Sequence, residues 1–290
     1  MISRNTLRRY NYLFPVIVLL VVITIFPLLY SLVVSLTNMR LTALEKPEFA
    51  GLKNYYEILV HDKRFWRSLY NTFTIAIPAL VLETIIGLAV ALLLNREIRG
   101  KRIITVLLIL PVVIPPLTSG LIWRMLYHEK YGPINGLLSY FGITRQITWL
   151  STPGLTKFAV ILTDVWQWTP FMMMMILAGL QAVPVECIEA AEVDGANPIQ
   201  RFFHITLPML KYTIMVAALL RIMDLIKLFD VVFVLTMGGP GGTTETISMY
   251  TYLVSFRAFR MGFGSALSYL VLIITVLLCT YFIKLIKGKS

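Results

Sequence analysis

The sequence predicts an all-α membrane protein with six transmembrane helices, and the distribution of charge along the chain carries that expectation. Charged residues make up 14% of the 290 residues, against roughly 25% in an ordinary soluble domain. The hydrophobic residues, 58% of the chain, are gathered rather than dispersed: 10–39, 103–123, 165–185 and 261–283 contain no Asp, Glu, Lys or Arg. Uncharged runs longer than about 18 residues match the length a helix needs to cross a bilayer. Two further spans follow once isolated charges are tolerated. They are 68–94, which holds Glu83, and 206–236, which holds Arg221, Asp224, Lys227 and Asp230.

The first span differs from a secretory leader. Its uncharged stretch is too long for a leader's apolar segment, and no small-residue cleavage site follows it. It reads as a retained helix with Arg4, Arg8 and Arg9 on the cytoplasmic side. The cluster Arg96, Arg99, Lys101 and Arg102 falls in a short hairpin between the second and third spans, where basic residues report topology best. With both termini in the cytoplasm, Lys and Arg are denser in the inner links than in the outer ones. The net charge of +11 is thereby explained by topology and anionic lipid, not by nucleic acid.

Prolines punctuate the spans: Pro15 and Pro27 in the first, Pro78 in the second, Pro111, Pro115 and Pro116 in the third, Pro170 in the fourth. Each leaves a carbonyl that a neighbouring helix or water must satisfy, as happens beside transport pathways and also in simple packing kinks. Cys187 and Cys279 stand in unrelated contexts, and His61, His128 and His204 show no ligand spacing, so no metal site is expected. Gly288-Lys289-Ser290 resembles the end of a phosphate-binding loop, but Ile283 occupies the position of the required upstream glycine. The longest links are too short for an independent domain. The chain therefore divides into an N-terminal tail and first span (1–40), an outer loop (41–69) and a core (70–285).

The most informative segment is the cytoplasmic link at 182–208. Pro184 suits the start of a helix, Glu186 and Glu189 suit its early turns, and Gly195 suits the left-handed position that ends it. Asn197 then caps a second helix with Pro198 in its first turn. Ala190 and Ala191 present a small surface that another protein can approach closely. The order Glu189-Ala190-Ala191, two residues, Asp194-Gly195-Ala196, and then Ile205-x-Leu207-Pro208 closely resembles the EAA loop of ABC importer permeases.

That resemblance implies a type I ABC importer permease fold, with Glu189, Ala190, Ala191, Asp194, Gly195 and Ala196 coupling the chain to an ATPase. Phe229-Asp230, the run Leu235-Thr236-Met237-Gly238-Gly239-Pro240 and Thr244-Glu245-Thr246 are similar to the first permease of carbohydrate-uptake importers. Asp164 to Pro170, with Trp166, Gln167 and Trp168, is similar to the sugar and polyol members. The larger maltose subunit's extra N-terminal spans and periplasmic insertion are lacking. The resemblance implies a second permease subunit, two copies of an ATPase that hold ATP and Mg, and an extracytoplasmic solute-binding protein. It implies no catalysis and no cofactor on this chain, and a location in the cytoplasmic membrane.

Polar groups at membrane depth complete the reading. Arg221, Asp224, Lys227 and Asp230 recur every third residue with alternating sign, a spacing that lets Arg221 meet Asp224 and Lys227 meet Asp230 along one helix. They form either a polar cavity wall or a structural ladder. Glu83 is expected in a helix–helix hydrogen bond and Asp164 near the outer headgroups. Trp166 and Trp168 cannot share a helix face; the headgroup boundary accounts for both without any solute, and the alternative turns one of them toward the cavity beside Gln167. Glycerol 3-phosphate or another small polar solute competes with a sugar as cargo. A secondary transporter is the remote alternative, but it leaves the EAA-like loop without a purpose.

Overall fold

The computed structural model describes residues 14–43 and 46–287. Arg4, Arg8 and Arg9 of the expected inner tail and the Gly288-Lys289-Ser290 ending lie outside the described residues. Helix dominates; among the described residues the only β pairing is one isolated bridge, Thr37 with Phe49. In chain order come α1 (Phe14–Ser35), α2 (53–61) and α3 (Lys63–Leu94). Next are α4 (Lys101–Val113), α5 (Pro116–Leu126), α6 (Pro133–Tyr140) and α7 (Pro153–Gln181). Then follow α8 (Val185–Val193), α9 (198–226), α10 (Asp230–Leu235), α11 (247–257) and α12 (Met261–Lys287).

By length and composition α1, α3, α7 and α12 each suffice to cross a membrane, and α4 with α5, bent by 99° to each other, match that length and composition only as a pair. The bend interrupts the expected third span, and its cause is Pro115-Pro116. A residue before proline is pushed toward extended backbone, and Ile114 and Pro115 take ψ of 129° and 139°. Pro116 then restarts the helix at its first turn. Pro78 and Pro170, by contrast, sit inside unbroken helices. The span expected over 206–236 is also not one helix. α9 ends at Ile226, the backbone leaves helical angles at Phe229, and Asp230 begins α10.

The described chain divides into two compact units. The first runs to Phe65 and includes Thr251–Ile273. There the end of α1 is tied to α2: the Asn54 amide donates to the carbonyls of Ser35 and Thr37 at 2.9 and 2.8 Å, and Ser35 Oγ meets Tyr55 OH at 2.7 Å. Most of α1 is otherwise uncovered, with Leu19, Val22, Ile23 and Phe26 exposed, the surface expected of a helix that faces hydrocarbon.

The second unit holds Trp66–Tyr250 and the chain from Ile274. Its core is where α3, α7 and α9 meet: Ala91, Leu94, Met173, Ile176, Leu180 and Leu210 form one buried cluster, and Ala76, Ala79, Val165 and Leu225 another. Small residues allow the close approach. In lipid, helix association depends on such fit because the apolar driving force of water is missing. A Cβ on Gly87 would lie 2.9 Å from Met172 Cβ and 3.0 Å from the backbone nitrogen of Met173. Met172 and Met173 are fully buried packing residues, which accounts for the start of the methionine run without a ligand. Gly87→Val is therefore expected to force α3 away from α7, at a cost of about 1–3 kcal/mol. A thermal unfolding midpoint equal to that of the wild type would contradict this contact.

Candidate functional site

At the centre of the second unit a single cation is enclosed by two acids from different helices. Arg221 on α9 donates from Nε to Glu83 Oε2 at 2.7 Å and from Nη2 to Glu83 Oε1 at 3.0 Å, a forked pairing with α3. The same Nη2 donates to Asp164 Oδ2 on α7. The three side chains are 2%, 0% and 0% exposed. The face of Trp168 covers the guanidinium, with Cζ 4.8 Å from the ring centroid. Arginine suits this place because its planar fork serves two carboxylates and still stacks on an aromatic face. An uncompensated charge at membrane depth costs ~2.5–3.5 kcal/mol on insertion scales, so each member of the cluster depends on the others.

The pairing corrects the ladder expected along α9. Arg221 does not pair with Asp224, its neighbour in sequence, but with acids 138 and 57 residues away. Lys227 does not meet Asp230, because the helix ends between them; its ion-pair partner is Asp224, at 3.9 Å between exposed side chains. Glu83 holds helices together as expected. Asp164 is fully buried in the cluster, paired with Arg221 and not left at a lipid-facing surface.

Beside the cluster lies a cavity of about 280 Å³ bordered by Pro116, Asp164, Trp168, Arg221, Asp224, Lys227, Phe229 and Asp230. That volume is near the lower end for small-molecule sites. Asp164 Oδ1 is buried and has no hydrogen-bond partner. Gln167 faces elsewhere: its Nε2 donates to the Ile114 carbonyl at 3.0 Å, the group freed by the Pro115-Pro116 break, and thereby pins the bend. Trp166 packs edge-to-face against Trp123 at 5.7 Å and borders an apolar recess with Val90, Leu107 and Pro111. The two tryptophans thus point to different surroundings, and Trp168 is the one beside the polar cavity. The sequence marked Pro116 as a helix interruption and Phe229 as part of a family-like motif, and neither as a cavity residue. Aromatic and proline residues carry no charge signal, and only the fold brings them to the cavity.

The break after α9 leads into a loop anchored to the start of α3. Arg67 Nη2 donates to the Gly241 carbonyl at 2.7 Å, Asn71 Nδ2 to Gly242 O at 2.8 Å, and Ser68 Oγ to Glu245 Oε1 at 3.1 Å. Gly238, Gly241 and Gly242 all adopt positive φ, which explains the glycine-rich sequence. The anchoring residues were missed because nothing local marks Arg67, Ser68 or Asn71 as partners of a loop over 170 residues later.

The third feature is the hairpin of α8 and α9. Gly195 takes φ +80°, and the amides of Gly195 and Ala196 reach back to the carbonyls of Glu192 and Ala191 at 3.0 and 2.9 Å, a Schellman end. Asn197 and Gln200 form a reciprocal capping box with both bonds at 2.8 Å. Arg201 pairs with Glu192 across the turn. Glu189, Ala190, Asp194 and Gly195 are exposed, and Ala191 and Ala196 are half-buried. From Asn197 the helix continues without a stop, through a π segment at Phe202–Thr206, to Ile226. The hairpin and Arg221 are therefore on one rod.

A many-helix membrane protein with a capped, exposed hairpin and a buried ion cluster is the class this architecture defines. Residues 83–287 match the model of the binding-protein-dependent transport system inner membrane component family, and the chain belongs to that family. It is 37% identical over 278 residues to the trehalose/maltose transport system permease protein MalF of Thermococcus litoralis, covering 95% of this chain and 92% of that one. Identity is 34% over 276 residues to the sulfoquinovosyl glycerol transport system permease protein SmoG of Agrobacterium fabrum, with 95% and 89% covered. The crystal structure of a bacterial ABC transporter that imports the acidic polysaccharide alginate shares the fold, with a TM-score of 0.85 at 20% identity over 98% of this chain and 96% of that one. The chain is thus a multi-pass membrane component of an ABC-type transport system.

Replacing Arg221 by methionine leaves two carboxylates buried without a cation. Loss of one partner from such a group costs about 3–5 kcal/mol, so Arg221→Met is expected to lower the unfolding midpoint sharply. Adding Glu83→Gln and Asp164→Asn removes the bare charges and is expected to recover at least half of the loss. Equal stability of the single and triple variants would show that the cluster is not held by charge.

Proposed function

We propose that this chain is one permease subunit of an ATP-driven importer and forms half of the pathway for a sugar or related polyol across the cytoplasmic membrane. The observation that carries this reading is the single helix α9, which starts at the capped hairpin and ends at the polar cavity. Its partners are a second permease subunit, two copies of an ATPase subunit and an extracytoplasmic solute-binding protein. ATP and Mg belong to the ATPases, and this chain supplies no catalytic group and no cofactor site. The transport core is assigned to 70–285, with the tail and first span at 1–40, the outer loop at 41–69, and both termini in the cytoplasm.

In this reading α8 seats in the ATPase through Glu189, Ala190, Ala191, Asp194, Gly195 and Ala196. The Schellman end and capping box keep the hairpin stiff, so a push on α8 becomes a displacement of α9. At the far end Arg221 is tied to α3 and α7, so the walls of the cavity move with it. Trp168 offers a flat face to the C–H surface of a sugar, and Asp164, Asp224, Lys227 and Asp230 offer polar contacts. Trp166 and Gln167 support this wall from behind, through Trp123 and the Ile114 carbonyl. The names of the two relatives, one for trehalose and maltose and one for sulfoquinovosyl glycerol, support a carbohydrate cargo.

Gly195 tests the coupling. A Cβ there meets nothing within 4 Å, so only its φ of +80° resists substitution. A β-branched residue in that region is an outlier, whereas asparagine visits it. Gly195→Val is expected to insert and assemble but to lose uptake at least tenfold in proteoliposomes, with ATP hydrolysis no longer stimulated by the loaded binding protein. Gly195→Asn is expected to keep most of the transport. Normal uptake by an assembled Gly195→Val importer would remove the hairpin from the mechanism.

A further inference from the structure

Four cations crowd the hairpin that joins α3 to α4. Arg96, Arg99 and Arg102 are exposed and Lys101 is half-buried. Among the described residues none of the four has an ion-pair partner, and Glu97 is the one acid between Asn95 and Arg102. α4 starts inside this cluster with no acid in its first turn and no side-chain cap, so the positive end of the helix adds to the field of the side chains.

The same two helices border an apolar recess. Its volume is about 390 Å³, and its walls include Ile86 and Val90 of α3, Leu107 and Pro111 of α4, and Trp166 and Met173 of α7. No charged residue lines it, and Thr169 Oγ1 is already bonded to the Val165 carbonyl at 2.6 Å. Such a lining suits a hydrocarbon chain and not a sugar. Pro111 and Pro170 both lie inside helices at this spot, and neither can bond the carbonyl one turn back, which loosens the local fit. Leu162, Trp166, Thr169 and Met173 follow at steps of four, three and four, so they share one face of α7. Asp164 and Trp168 border the polar cavity from the other face. Ile86 is 40% and Leu107 60% exposed, so the lips of the recess open outward.

Depth links the two features. Val90 and Ile86 stand four and eight residues before Leu94, which is about 6 and 12 Å along a helix. Leu107 and Pro111 stand six and ten residues after Lys101, about 9 and 15 Å. One leaflet of hydrocarbon is about 15 Å deep, half of the bilayer core. A lipid with its phosphate at the hairpin therefore lays an acyl chain along the recess. Four cations against one acid complement an anionic headgroup rather than a zwitterionic one.

We infer that the α3–α4 hairpin and the recess beside it form a binding site for one anionic phospholipid. Arg96, Arg99, Lys101 and Arg102 take the phosphate, and an acyl chain lies against Leu107 and Trp166. The bound lipid fills the gap behind the α7 wall of the polar cavity and ties α4 to α3.

Photolabelling tests the site. The full chain, with the subunits that copurify, is placed in nanodiscs containing phosphatidylglycerol or phosphatidylcholine with a diazirine midway along one acyl chain. Labelled peptides are read by mass spectrometry. Phosphatidylglycerol is expected to label 86–90, 107–111 and Trp166 about tenfold more strongly than phosphatidylcholine. Arg99→Gln with Arg102→Gln leaves two cations to hold the topology and is expected to cut that preference to about threefold. Ile86→Trp and Leu107→Trp each fill one lip of the recess from an exposed position, so that two variants guard against one failing to fold. Each is expected to lower labelling of the recess about fivefold with an unchanged unfolding midpoint. Labelling spread evenly over α1, α12 and the recess by both lipids overturns the inference. A phosphatidylglycerol preference that survives both tryptophan variants also overturns it, because the headgroup would then bind with no chain in the recess. A recess that neither lipid labels marks a protein partner in that place and overturns it equally.

Discussion

One buried guanidinium sets the terms for the rest of the second unit. Arg221 has to be neutralised inside the membrane, and no acid on its own helix does this. The solution draws α3 and α7 to α9, because Glu83 and Asp164 must both reach the same fork. Alanines at 76 and 79, with Val165 and Leu225, form the adjoining core, and Gly87 permits contact at Met172 with no room for a side chain. The ion cluster and the small residues are two aspects of one constraint. A long-range charge pair in lipid is favourable only when the backbones are close enough to exclude everything else.

The fifth span breaks a turn and a half beyond this anchor. With Arg221 anchored, the chain beyond it carries Asp224 and Lys227 toward the cavity and ends its helix at Ile226. Asp230 then opens α10, where an acid favours a helix start. At the opposite end, the capping box at Asn197 and the Schellman end at Gly195 fix the hairpin to the same rod. Between them sits a π segment at Phe202–Thr206, a local widening often found where helices serve function. A stiff entry, a continuous shaft and an anchored end make α9 a suitable lever for the proposed coupling.

The sequence exposed these parts unequally, and the reason is range. Gly195, Asn197 and Pro198 announce the hairpin because capping is chemistry between residues three or four apart, and the structure places the turn there. Charge-free runs announce the spans because bilayer thickness sets their length. The Pro115-Pro116 pair hinted at a break, but its 99° angle depends on how α4 and α5 pack. The pairing of Arg221 was read from spacing along one helix, and that reading failed because the carboxylates that matter lie on other helices. The partner of Asp164 was missed for the same reason. Trp166 and Trp168 were correctly separated by helix geometry, but which of them faced the polar side depended on the location of Arg221.

Spin-label distances test most directly whether α9 carries motion from the hairpin to the ion cluster. With Cys187 and Cys279 replaced by serine, labels at Ile199 and Leu220 report the length of α9, and labels at Ile199 and Phe158 report its movement against α7; these three positions are exposed. Nucleotide-driven closure of the reconstituted importer is expected to leave the first distance unchanged and to shift the second by several ångströms. A first distance that changes while the second stays fixed would contradict a rigid lever and place the motion inside the π segment instead.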